Sequence, residues 1–339
     1  MKSFLVSLLW TMTLYPQLAH ASDCRPHGVG VTELQTLRIG DFDTLTVRGK
    51  LAEFDPCHPS VTFRKPFFSS SPRPLMIVVH GGGGLDGATQ AAASAFYDLG
   101  FSTLVFDAFQ MNSLNKPGSF FAVNVSNEAR QRMIFKVAKG AYDWALKDPE
   151  RVKRGIYIYG ISNGASVAAN LAAVVDPTIV KGVFAEGAPA AGIGFPNSLS
   201  VPLRMVYGRL DNYGGRAEDD LMYRRRLSCK SMNTMEGIPP GTSELCNLQT
   251  QPDGLNTSPA RWIDQQKAKG ADIELWWLEK SAHGVFVEFR KGSRVFDGGR
   301  TLYTYIGGTA DDRTLFLERV KLMLEANEAA MPNSTKTGS

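Results

Sequence analysis

The chain has 339 residues, a formal net charge of +4 and 43% hydrophobic residues. Such a balance describes an ordinary globular chain and speaks against a nucleic-acid binder; the one tight basic run, Arg224-Arg225-Arg226, is accounted for by a solvated helix face. No Pro/Ser-rich or Gly-rich linker divides the sequence and no internal repeat is present, so one α/β domain is expected over residues 22–326.

From the N-terminus, Lys2 precedes the apolar run Phe4 to Trp10, then Pro16 and Ala19-His20-Ala21. This reads as a secretory signal peptide over residues 1–21, cleaved before Ser22. The apolar core is too short for a permanent span, which needs about 20 apolar residues, and no later segment reaches that length. The expectation is a secreted or periplasmic protein without a stable membrane anchor. The four cysteines, Cys24, Cys57, Cys229 and Cys246, all follow the signal. An even count in an oxidising compartment suggests two disulfides, and three pairings are open. Cys24–Cys57 and Cys229–Cys246 is preferred because each closes a local loop, worth about 3–4 kcal/mol on the chain-entropy estimate. The first pairing makes residues 22–60 a disulfide-bearing segment ahead of the core. Neither spacing matches a structural zinc knuckle, and no metal is expected.

The core elements follow in alternation. Leu75 to Val79 reads as a strand, residues 88–99 as a helix, Ser102 to Phe106 as a strand and residues 127–147 as a long helix. In that helix Ile134, Val137, Ala141, Trp144 and Ala145 recur at helical spacing, and Asp148-Pro149 ends it. A strand at Ile156 to Tyr159 leads through a sharp turn into a helix reaching Val175. Further strands are expected at Gly182 to Ala185, Leu203 to Tyr207 and Ile273 to Trp277, with a closing helix over 313–326 and a polar, disordered tail over 327–339. Repeated βα units with near-continuously apolar strands predict a mostly parallel central sheet with helices on both faces. Two stretches break the rhythm: a polar insertion over 212–259, either a lid or pocket wall or a merely decorative excursion, and the glycine-containing stretch 288–309.

The turn after Tyr159 is Gly160-Ile161-Ser162-Asn163-Gly164, a G-x-S-x-G nucleophile elbow between strand and helix. Ser162 at its apex is forced toward strained backbone angles, and its hydroxyl stands clear of the sheet. A base is found by counting histidines. His27 and His58 sit beside cysteines ahead of the core, and His80 opens a glycine-rich turn that a histidine there would brace. His283, in Ser281-Ala282-His283-Gly284 just beyond the last core strand, is left as the candidate. Asp211, directly after the strand ending at Tyr207, is the candidate orienting acid, giving the order Ser, Asp, His. Glu186 and Asp107, also at strand ends, are the alternatives. The amides of Asn163 and of Gly82 in His80-Gly81-Gly82-Gly83-Gly84 are the candidate oxyanion donors, with Gly81 and Gly83 close behind.

The same loop admits a rival reading. Gly82-x-Gly84-x-x-Gly87 follows a strand, opens a helix and is trailed by Asp107 about 20 residues later, as in the dinucleotide-binding fingerprint of an NAD-type oxidoreductase. Export, the preceding His80 and the separate Ser/Asp/His set argue against it, and no cofactor is expected. A non-catalytic exported binding protein on the same fold is a further alternative.

With these motifs in order, the chain resembles the α/β-hydrolase superfamily, and within it the dienelactone hydrolase-like branch. The likeness lies in Val78 to Leu85, Gly100 to Asp107, the elbow, Gly208 to Asp211 and Ala282 to Gly284, and spans residues 75–326. It implies an α/β-hydrolase fold and a serine carboxylesterase working on a small-molecule ester through an acyl-enzyme. The namesake enzymes carry cysteine where this chain has Ser162, which turns the expectation from dienelactone toward ordinary esters. Phe109, Met111, Phe120, Phe121, Tyr213 and Phe286 flank the expected site, either as an apolar substrate surface or as packing.

Overall fold

Side-chain alternation along the strands decides which helices the sheet can bind. The computed structural model describes residues 33–39, 42–48, 51–65, 72–112, 127–189, 193–211, 259–296 and 300–330. The core strands are β3 (Thr62–Arg64), β4 (Leu75–Val79), β5 (Ser102–Val105), β6 (Ile156–Ile161), β7 (Val180–Glu186), β8 (Leu203–Gly208) and β9 (Ile273–Leu278). They form one seven-stranded sheet in the order β3-β5-β4-β6-β7-β8-β9. Only β3 runs antiparallel to its neighbour; the other pairings are parallel.

Parallel neighbours need crossovers, and helices lie on those after β4, β5, β6 and β8: α1 (Gly87–Asp98), α3 (Asn127–Leu146), α5 (Asn163–Leu171) and α6 (Pro259–Ala268), with short α2 (Ala108–Met111) and α4 (Pro149–Val152) at strand and helix ends, while α7 (Ala310–Ala329) closes the domain. Successive strand residues face opposite sides. Leu75, Ile77, Val79, Ile156 and Ile158 pack with Val137, Ala141, Val167, Ala168 and Trp262 of α3, α5 and α6. Met76, Val78, Tyr157, Tyr159 and Phe184 pack on the other side with Ala92 and Phe96 of α1 and Phe316, Val320 and Leu324 of α7. Both faces of the sheet are therefore covered, which is why its strands read as unbroken apolar runs.

The expected strands and helices are present, with ends differing by a few residues. Asp148 does stop α3, and it then caps α4 by accepting the Glu150 N–H, with Pro149 in the first turn. The stretch 288–309, expected as a glycine-containing break, instead holds β11 (Arg290–Phe296) and β12 (Arg300–Gly308), paired antiparallel. The candidate base does not lie in a loop either: His283 opens β10 (His283–Glu288), which pairs parallel with β12. Gly292, Gly307 and Gly308 argue for a loop on propensity alone, and ladder pairing overrides that preference. Ahead of the core, β1 (Glu33–Ile39) and β2 (Phe42–Arg48) form an antiparallel hairpin.

The signal segment, the 327–339 tail beyond residue 330 and the 212–259 insertion up to Pro259 lie outside the described residues. Of the four cysteines only Cys57 lies within them, so the disulfide pairings fall outside as well. Among the described residues no helix is long and apolar enough to cross a membrane.

Candidate active site

The turn between β6 and α5 is possible only because two of its residues lack side chains. A Cβ at Gly160 would lie 2.1 Å from the Gly164 carbonyl oxygen, and one at Gly164 would lie 2.3 Å from the His80 carbonyl oxygen. Between them Ser162 adopts φ 56°, ψ −122°, and it is the one non-glycine residue with positive φ among those described. Its main chain is held rather than its side chain. The Ser162 N–H donates to the Glu186 carbonyl at 2.8 Å, while Ala165 and Ser166 N–H groups donate to the Ser162 carbonyl. The hydroxyl does not cap α5, so it stays available at the carboxyl edge of the sheet.

Two strands away, the β8 end turns through Gly208 to Asp211. That turn is pinned by Arg209 N–H to the Leu278 carbonyl at 2.8 Å and Leu210 N–H to the Ser281 carbonyl at 2.9 Å. It places the Asp211 carboxylate 3.0 Å from His283 Nδ1. The Asp211 side chain is 2% exposed and that of His283 12%, so the pair meets in a site where water competes weakly.

The His283 turn is secured from several directions. Asp312, in the first turn of α7, accepts from both the Lys280 N–H and the Ser281 hydroxyl at 2.7 Å each. Ala282 N–H donates to the Gly307 carbonyl at 2.8 Å. Beyond the histidine, Val285 N–H donates to the Glu186 carboxylate. Gly187, with φ 63°, lies against the imidazole: a Cβ there would come within 2.9 Å of Cε1 and Nδ1.

The structure thus brings His283 and Asp211 into direct contact and sets both beside the strand that follows Ser162. Ser162 Oγ itself makes no hydrogen bond among the described residues. Glu186, the alternative acid, has both oxygens engaged elsewhere, accepting from the Tyr159 hydroxyl and the Val285 N–H. Burial pushes its carboxyl above the usual carboxylate range, and those two donors and the neighbouring His283 work the other way. Tyr159, buried beside that acid, is pushed well above the usual phenol range and keeps its proton. Asp107, the remaining acid, caps α2 through Phe109 and Gln110 N–H and accepts the Leu85 N–H at 3.1 Å.

The glycine-rich loop after β4 is braced by His80, as its position suggested. The buried ring meets the Gly81 carbonyl through Nδ1 at 2.7 Å and accepts the Ala108 N–H on Nε2 at 2.9 Å. Those partners fix the neutral tautomer with the proton on Nδ1, and desolvation lowers the ring below the usual histidine range. A Cβ on Gly81 would sit 3.2 Å from Ser162 Cβ, and one on Gly82 would sit 2.9 Å from Asn163 Nδ2. Both glycines therefore flank the elbow. The Asn163 side chain is held in turn by Gln131, whose Nε2 donates to Asn163 Oδ1 at 2.9 Å and whose Oε1 accepts the Ile193 N–H at 2.7 Å. Gln131 lies on the apolar face of α3, and as a polar residue among buried positions it was the one signal in the sequence for this brace.

Of the suggested apolar substrate surface, Phe109, Met111 and Phe286 are core residues, 0%, 4% and 4% exposed. Phe109 packs on the His80 ring at 4.9 Å and Phe286 on Phe96 and Phe316. Phe120, Phe121 and Tyr213 lie outside the described residues. Among the described residues no group of three or more His, Cys, Asp or Glu is arranged to hold a metal ion.

No protein-family model and no curated protein matches the chain. Solved structures do. A dienelactone hydrolase-like promiscuous phosphotriesterase from metagenomic libraries is 13% identical, with TM-score 0.47, over 88% of this chain and 99% of its own. The Pyrococcus furiosus esterase Pf2001 is 13% identical, with TM-score 0.44, over 82% of this chain and 97% of its own. Est1E from Butyrivibrio proteoclasticus is 13% identical, with TM-score 0.43, over 79% and 94% respectively. At such identities the fold rests on the chain's own features: the β3-β5-β4-β6-β7-β8-β9 sheet, helices on both faces, and a strained serine between β6 and α5. By those features the chain has the α/β-hydrolase fold.

Proposed function

We propose that the chain is an exported serine hydrolase cleaving carboxylic esters through Ser162, His283 and Asp211. The observation that carries the reading is the strained Ser162 elbow beside the part-buried His283–Asp211 pair, three groups delivered to one sheet edge by β6, β8 and the β10 start. Ser162 Oγ attacks the acyl carbonyl while His283 Nε2 takes its proton and Asp211 holds the imidazole with Nδ1–H toward itself. The Asn163 and Gly82 amides stabilise the tetrahedral oxyanion. His283 returns the proton to the leaving alkoxide, and a water deprotonated by the same ring then releases the acid from the acyl-enzyme.

Support for the oxyanion assignment comes from the loop, where Gly81 and Gly82 lie closest to the elbow. The dinucleotide reading is weakened by Asp107, the acid it would need for a ribose, because that carboxylate is committed to the Leu85, Phe109 and Gln110 amides. Small carboxylic esters are the proposed substrates, and the apolar leader of residues 1–21 supports export.

Fluorophosphonate labelling of the purified protein tests the reading. Covalent modification mapped by mass spectrometry to Ser162, lost on heat denaturation and in His283→Ala, is the expected result. Absence of labelling together with nicotinamide-cofactor binding would overturn it. Chromogenic esters of graded acyl length then define the acyl preference.

A further inference from the structure

We infer that Glu186 is a positioning residue that fixes the His283 imidazole relative to the Ser162 elbow. The inference rests on the hydrolase reading above and deepens it. Glu186 is 2% exposed and ends β7, the strand between the one that delivers Ser162 and the one that delivers Asp211. Three of its acceptor atoms are used, each on a different part of the site. Its main-chain carbonyl takes the Ser162 N–H at 2.8 Å. Its Oε1 takes the N–H of Val285, two residues beyond the histidine, and its Oε2 takes the Tyr159 hydroxyl, three residues before the serine. The next residue, Gly187, meets the His283 ring edge.

One residue therefore spans nucleophile and base. A buried carboxylate is costly unless its lone pairs are used, and an apolar residue of similar size at the end of β7 would pack without that cost. Both donors point at the carboxyl oxygens, so the side chain ties the β6 end to the β10 start, and where it is ionised it also brings a negative charge to the site. The charged and titratable groups around it are Tyr159 on β6, Asp211 after β8 and His283 at the β10 start. Arg313 on α7 meets the same turn, donating to the Val285 carbonyl at 3.3 Å. A negative charge among these favours the imidazolium that His283 becomes when it takes the serine proton.

The test uses the full chain with Glu186→Gln, p-nitrophenyl acetate as substrate and the pH profile of kcat/KM. The expected result is a folded variant whose kcat falls on the order of 10²-fold, the cost of misplacing a catalytic group by about an ångström, with KM little changed. The acid limb of the profile moves to lower pH, because a charge favouring the protonated ring has gone. Titration of the His283 ring by NMR, assigned with His283→Ala, should move in the same direction. A folded Glu186→Gln with the wild-type kcat, acid limb and ring titration overturns the inference. Wild type that resists fluorophosphonate at Ser162 overturns the hydrolase reading instead, and a displaced His283 titration would still uphold the positioning role. Should Glu186→Gln not fold, Tyr159→Phe removes one donor only. The carboxyl then ionises at higher pH and puts less negative charge beside the imidazolium, so the acid limb should move down as in Glu186→Gln, and an unmoved limb in that variant counts against Glu186.

Discussion

Gly187 and His283 are in such close contact that a single methyl group on the glycine would stand 2.9 Å from both Cε1 and Nδ1 of the ring. The backbone there is also left-handed, with φ 63°. Two constraints, one steric and one conformational, thus fall on the residue that follows Glu186. Gly187→Ala should lower kcat against p-nitrophenyl acetate on the order of 10²-fold by pushing the imidazole aside. It should also cost about 1–2 kcal/mol of stability for an L-residue in that conformation. Steady-state kinetics paired with denaturant unfolding checks this. Wild-type turnover in the alanine variant would mean that the ring has room to spare.

The Asp211 carboxylate acts on His283 through orientation as much as through charge. A carboxylate oxygen 3.0 Å from Nδ1 favours the tautomer with the proton on Nδ1 and the lone pair on Nε2. Asp211→Asn keeps the shape but offers an amide that can donate to Nδ1, which forces the opposite tautomer. The expected loss is on the order of 10⁴-fold in kcat, by comparison with the same change in serine protease triads, with KM nearly unchanged. A loss confined to KM would place Asp211 in substrate binding instead.

Much of this was legible in the sequence because it obeys short-range rules. Leu75 to Val79 and Ile156 to Tyr159 announced buried parallel strands, and Gly160 to Gly164 announced the elbow, since backbone packing at both glycines leaves no room for a Cβ. His283 and Asp211 emerged by counting and order, and the structure sets them in hydrogen-bond contact. Contacts distant in sequence were not legible. The Val285–Glu186 bond joins residues 99 apart, and Asp312 meets the Ser281 hydroxyl across 31 residues. Glu186 was visible as an acid at a strand end, but its commitment to Tyr159 and Val285 depends on how β6, β7 and β10 are juxtaposed. The strands over 290–308 were missed for a related reason: their ladder partners, not their own composition, make them strands.

His80 makes acid sensitivity a property of the glycine-rich loop after β4. Its ring accepts the Ala108 N–H on Nε2, so a protonated ring would set a donor against a donor in a buried site. Burial accordingly lowers its folded-state value below the ordinary 6.5. With the folded value depressed, the unfolded chain binds the proton first as pH falls. The contribution of His80 to stability is therefore intact above about pH 6.5 and is lost as the pH drops below it. Glu186 has the opposite sign: its value is raised, so its contribution is fullest below the unfolded carboxylate value and declines as pH rises through the folded one. A comparison of wild type with His80→Gln isolates the histidine. The variant should be less stable at pH 7.5, and the gap should narrow toward pH 5.5 in urea unfolding. A constant gap across that range would remove His80 as the titrating group.

Ser162 carries a conformational cost that follows from where its hydroxyl must stand. Non-glycine residues held at such sparsely populated angles are destabilised by about 1–3 kcal/mol, and φ 56°, ψ −122° is such a conformation. Glycine adopts positive φ freely but gives the unfolded chain more freedom, an offset of about 0.4–1 kcal/mol. Ser162→Gly should therefore unfold at or above the wild-type midpoint, by up to about 2 kcal/mol after that offset, while turnover falls on the order of 10⁶-fold with the nucleophile gone. Ser162→Ala should lose turnover equally yet gain little stability, because alanine meets the same backbone restriction as serine. Thermal melts of the three proteins, run beside fluorophosphonate labelling, separate the two effects. If Ser162→Gly melted well below wild type, the elbow would be relaxed rather than strained, and the placement of the hydroxyl would owe nothing to stored backbone energy.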